Sequence, residues 1–113
     1  MRVIKRSPKV SREEIKKFIE EIVKKFQPEK IILFGSYGYG RPDEESDVDL
    51  FVIMNTKKSS IAQEVEIRME IERNFPLDLI VMTPEETEKR IKQGDTFIQT
   101  ILEKGEVLYE KRK

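Results

Sequence analysis

Two short apolar runs, Lys30–Phe34 (KIILF) and Asp47–Met54 (DVDLFVIM), do most to limit what this chain can become. Each is nearly continuous rather than alternating, the pattern of a strand buried on both faces. The segment between them, GSYGYGRPDEES, holds three glycines, a proline and several acids, so no regular element can run through it. It is expected to be a loop, with one helical turn opening at Ser36.

The remaining elements follow from periodicity and punctuation. Ser11 with Glu14 reads as a capping box, and Ile15, Phe18, Ile19, Ile22, Val23 and Phe26 recur at helical spacing, which predicts an amphipathic helix over 12–26. Gln27 and Pro28 stop it. A second helix is expected over 60–74, with Ile61, Val65 and Met69 in one row and Ile67, Ile71 and Phe75 in another; that width predicts cover on more than one side. Pro76 ends it, and Leu77–Met82 (LDLIVM) reads as a third strand. Thr83, Pro84 and Glu86 start a further helix, Phe97, Ile98, Ile101 and Leu102 mark a last one, and Gly105 precedes a closing strand, Val107–Tyr109. The expected fold is therefore a single mixed α/β (α+β) domain over 1–113, ordered α, β, loop, β, α, β, α, α, β.

Composition removes several chemistries. Histidine and cysteine are both absent, which excludes thiolate or imidazole zinc sites, disulfides and a Ser-His triad. Any metal must be a hard cation held by oxygen. Lys+Arg and Asp+Glu are both 22, so there is no global basic field of the kind that binds nucleic acid, and none is expected as a partner. No apolar run approaches the ~20 residues that span a bilayer, and the chain is expected to be cytoplasmic and away from membranes. At 113 residues there is no room for a second, substrate-binding domain, so a large substrate must meet a shallow surface or a partner.

Carboxylates supply the chemistry that is left. Asp47 and Asp49 stand two residues apart on a predicted strand, so their Cα atoms lie ~6.5 Å apart with both side chains on one face. Asp49 is an acid inside an otherwise apolar strand, and Asp78 is the single charged residue of LDLIVM. Burying a lone aspartate there is costly unless it is paired or metal-bound, so the three together are expected to hold divalent cations. Gly35 and Ser36 follow the first strand, where glycine lets backbone approach a ligand and the serine hydroxyl can reach a phosphate oxygen. Arg41, Lys57 and Lys58 are candidate phosphate clamps or exposed loop charges, and Tyr37 and Tyr39 are expected to lie outside the core.

Gly35-Ser36, ten residues, then Asp47-Val48-Asp49 between two apolar strands resembles the nucleotidyltransferase signature of the DNA polymerase β superfamily. The short chain and the string GS…G…SDVDLFVI are similar to minimal nucleotidyltransferases, including the antitoxins of HEPN/MNT toxin-antitoxin pairs. The resemblance implies a polymerase β-like mixed sheet flanked by helices, Gly35 and Ser36 on the phosphates of ATP, and Asp47, Asp49 and Asp78 on two Mg2+ ions, with Asp78 also helping to deprotonate the acceptor hydroxyl. The family often has an arginine where this chain has Tyr39, and Arg41 is the candidate substitute.

Three readings follow. In the first, the chain is an enzyme that moves AMP from ATP onto a hydroxyl, a tyrosine of a partner HEPN toxin. In the second it is a non-catalytic antitoxin that neutralises a partner by forming a complex. Modification of a small molecule such as an aminoglycoside is the third, and it is disfavoured by the lack of an added domain. The apolar width of 60–74 and the uncovered edge of the closing strand also lead to the expectation of a homodimer or hetero-oligomer.

Overall fold

A computed structural model of the protein describes residues 10–40, 42 and 47–112. Arg41 and the acids of 43–46 lie outside the described residues. The elements are α1 (Arg12–Phe26), β1 (Lys30–Phe34), α2 (Gly35–Gly38), β2 (Val48–Ile53), α3 (Ser60–Glu70), β3 (Leu77–Met82), α4 (Pro84–Lys92), α5 (Thr96–Lys104) and β4 (Glu106–Glu110). This is the expected order, with the short helical turn opening at Gly35 rather than Ser36.

Local chemistry sets the helix ends. Ser11, Ser59, Thr83 and Asp95 each accept a hydrogen bond from a backbone N–H three residues on, capping α1, α3, α4 and α5. Pro84 occupies the first turn of α4, where its missing N–H costs nothing. Gln27 closes α1 in the left-handed region, with its N–H on the Val23 carbonyl. α3 is shorter than its periodicity suggests. Ile71 leaves the helix in an extended conformation so that it and Phe75 can turn inward, both buried, ahead of Pro76.

The four strands form one sheet in the order β3-β2-β1-β4. β1 is antiparallel to β2 and β4, while β2 and β3 are parallel and joined by the α3 crossover. Side chains alternate between the two faces of such a sheet. One face carries Ile31, Leu33, Leu50, Val52, Leu79 and Val81 against α1 and α3, including Phe18, Ile22 and Ile67. The other carries Ile32, Phe34, Phe51, Ile53 and Met82 against Ile98 and Ile101 of α5. With each fully buried large side chain contributing about 1.5–3 kcal/mol, these two layers hold the sheet between its helices.

One expectation about α3 is corrected. Ile67 is fully buried, but Ile61 and Met69 are 74% and 81% exposed and Val65 is exposed as well. The helix covers the sheet through one row, and among the described residues the other row stays exposed. Among the described residues no helix is long and apolar enough to cross a membrane.

Candidate active site

The sheet faces decide where the acids point. Asp49 alternates with the inward residues Val48 and Leu50 of the α1/α3 face, so it lies on the α5 side, as does Asp78 beside Leu77 and Leu79. β2 and β3 are in register with Asp49 opposite Asp78, and β1 is in register with Phe34 opposite Asp49. Two carboxylates are thus held side by side on neighbouring parallel strands. Both sit at the strand starts, at the end of the sheet where β1 turns into α2.

Gly35 fixes the other side of Asp49. Its φ of 66° lies in the left-handed region, and a Cβ added there would stand 2.0 Å from Asp49 Oδ2. Only a residue without a side chain lets the β1–α2 turn rest directly on that carboxylate. Gly38 closes the same turn against β1, since a Cβ there would lie 2.2 Å from the Leu33 carbonyl oxygen. α2 differs from the other helices at its start: its N-cap is Phe34, which provides no side-chain hydrogen bond. The first N–H groups of a helix have no partner within it. Here they stand beside the exposed Ser36.

Asp49 is half-buried, and its carboxyl is pushed up to about 6 from an ordinary 3.8. Burial is the main cause, followed by the negative charges of Asp78 and Asp47 and a side-chain hydrogen bond with Asp78. A partly buried carboxylate that also faces like charges is one that a divalent cation would relieve. The donor set is all oxygen, which suits a hard ion such as Mg2+.

Two expectations about the acids are corrected. Asp78 is exposed rather than buried, because β3 is the sheet edge and its first residues run past the covering helices. Asp47 is also exposed and precedes β2, whose pairing with β3 begins where the Val48 N–H meets the Pro76 carbonyl. It acts on Asp49 through charge but is not fixed by the ladder. Among the described residues no three acids converge as one ligand group, so the structure brings Asp49, Asp78 and Gly35 together and leaves Asp47 at the rim.

The two loop tyrosines separate. Tyr39 is exposed, but Tyr37 is buried and its hydroxyl accepts a hydrogen bond from the Val10 N–H at 3.3 Å. It therefore anchors α2 to the entry of α1, a role that nothing in the sequence between glycines signalled. The contact of Phe97 was not legible either: it meets Phe34 edge-on with ring centroids 5.9 Å apart and remains exposed. Lys58 is held by Glu66 and its neighbour Lys57 is exposed, both at the opposite end of β2 from the carboxylates.

A mixed sheet between helices, with its acidic end left open, is the architecture of a nucleotidyltransferase. The chain belongs to the polymerase β nucleotidyltransferase family, whose pattern matches residues 13–113. It is similar to a protein of Methanocaldococcus jannaschii named a putative protein adenylyltransferase, 31% identical over 97 residues that span 84% of this chain and 94% of the relative. Its fold is similar to the crystal structure of a putative nucleotidyltransferase from Sulfolobus solfataricus, with a TM-score of 0.62 and 18% identity over 89% of this chain and 81% of that one.

Proposed function

We propose that the protein transfers AMP from ATP to a hydroxyl group of a protein, a tyrosine of a HEPN-type toxin, and so acts as its antitoxin. The observation that carries this reading is the register pairing of Asp49 with Asp78 beneath Gly35. The similarity to a relative named for protein adenylylation supports the choice of nucleotide and acceptor class.

In this reading Asp49 and Asp78, with Asp47 at the rim, would hold Mg2+, and Ser36 with the first N–H groups of α2 would receive the phosphates. The cation supplies charge neutralisation of the triphosphate and lowers the pKa of the acceptor hydroxyl. Asp78, the exposed member of the pair, takes the acceptor's proton on a carboxylate oxygen. The acceptor oxygen forms its bond to the α-phosphorus as the bond from that phosphorus to the β-phosphate oxygen breaks, and pyrophosphate leaves. Gly35 holds Asp49 in place against the turn that carries the phosphates. Incubating the protein with the neighbouring gene product, ATP and Mg2+ should add one AMP per acceptor by intact mass. No mass gain, in a reaction where Asp49→Asn behaves like wild type, contradicts it.

A second reading, neutralisation by complex formation alone, is favoured by one observation. The row Ile61, Val65 and Met69 on α3 is exposed, as a partner-binding surface would be. Tight binding and neutralisation of the toxin without ATP would support it over transfer.

A further inference from the structure

Phe34, the last residue of β1, is opposite Asp49 in the antiparallel register, so both side chains leave the sheet on the face that α5 covers. Phe97, in the first turn of α5, meets the buried Phe34 with ring centroids 5.9 Å apart. Two contacts therefore link the Phe97 ring to Asp49: ~5 Å between the paired Cα atoms of Phe34 and Asp49, then the step from ring to ring. That is the reach of a ribose and its base from a phosphate held at the carboxylates.

The ring is both open and held in place. Its plane stands at 84° to that of Phe34, so the contact uses an edge and a face rather than two faces, and Phe97 stays 53% exposed. The turn that carries it is fixed: Asp95 Oδ1 accepts from the Ile98 N–H at 3.1 Å, Asp95 Oδ2 pairs with Arg90 at 3.4 Å, and Ile98 and Ile101 are buried against the sheet. A lone exposed apolar side chain is ordinary on a protein surface. This one differs in what it rests on, since Phe34 is also the N-cap residue of α2, whose first N–H groups would receive the phosphates.

We infer that Phe97 is the base-stacking residue of the nucleotide site, an apolar platform against which the purine of a nucleoside triphosphate lies while its phosphates meet α2 and the cation. The inference rests on the nucleotide site proposed above and adds the residue that tells a nucleotide from bare polyphosphate. Stacking on a ring tolerates any base, so Phe97 supplies affinity for the nucleoside and not a choice among purines.

The test compares ATP with tripolyphosphate, which carries three phosphates without ribose or base, each titrated with Mg2+ into the full chain by calorimetry. Wild type should bind both. Phe97→Leu, which keeps an apolar side chain on Phe34, should bind ATP at least about tenfold more weakly, as loss of one stacked base requires, and tripolyphosphate within about twofold of wild type. The chain has no tryptophan, so Phe97→Trp places a single indole at the platform. ATP with Mg2+ should quench its fluorescence, and tripolyphosphate with Mg2+ should not. Equal losses for the two ligands in Phe97→Leu would mean that the ring only props Phe34 and the turn, and would overturn the inference. Unchanged ATP affinity, or an indole that saturating ATP leaves unquenched, would overturn it as well; in these cases wild type still binds ATP and the nucleotide site stands. Wild type that binds neither ligand refutes both.

Discussion

Replacing Asp49 by asparagine should make the protein more stable near neutral pH when no divalent cation is present. A folded-state pKa of about 6 against an ordinary 3.8 corresponds to roughly 3 kcal/mol if converted in full. Asp49 is only half-buried, so water screens its interactions and about 1–2 kcal/mol is the reasonable expectation. The sign follows from the direction of the shift. Because the folded state binds this proton more tightly than the unfolded chain, the contribution is fully present below pH ~4 and is lost as pH rises through about 6. Wild type in EDTA should therefore lose about 1–2 kcal/mol between pH 4 and pH 7 relative to Asp49→Asn, as read by urea denaturation at matched pH values. Adding Mg2+ should recover stability for wild type near pH 7 and not for the variant. Parallel stability profiles for the two proteins across that window would refute the argument that burial, with the charges of Asp78 and Asp47 beside it, holds the Asp49 carboxyl above its ordinary range.

Gly35→Ala should lose transfer activity about a hundredfold or more, because displacing Asp49 even slightly disturbs the reacting geometry, and should cost about 1–2 kcal/mol for the left-handed backbone alone. Steady-state AMP transfer and thermal unfolding read the two effects. Tyr37→Phe should cost about 1 kcal/mol by leaving the buried Val10 N–H without its acceptor, seen in urea unfolding. Ile22→Ala, at a fully buried position, should cost about 2–5 kcal/mol, whereas Met69→Ala should stay within about 0.5 kcal/mol in the same assay.

Much of this molecule was legible because its signals are local. The apolar runs that became β1, β2 and β3, the caps at Ser11 and Thr83 and the prolines at 76 and 84 each depend on a few adjacent residues. What could not be read depended on which strand neighbours which. Asp78 looked buried because its own strand is apolar, and only the position of β3 at the sheet edge exposes it. Tyr37 looked like a loop aromatic, and its burial comes from Val10, 27 residues away. The pairing of Asp49 with Asp78 was expected from cost alone; its register and the contact with Gly35 come from the parallel ladder and a single positive φ. For α3 the two apolar rows are indistinguishable by period, and only packing selects Ile67 over Ile61.

The central claim is that Asp49 and Asp78 form one cation-dependent nucleotide site, and it can be tested without knowing the acceptor. Mn2+ titrated into the protein with ATP, followed by electron paramagnetic resonance of the free ion, measures occupancy directly. Wild type should take up Mn2+ with ATP, and both Asp49→Asn and Asp78→Asn should bind it at least about tenfold more weakly, as loss of a ligating carboxylate requires. Equal uptake by wild type and the two variants would contradict it.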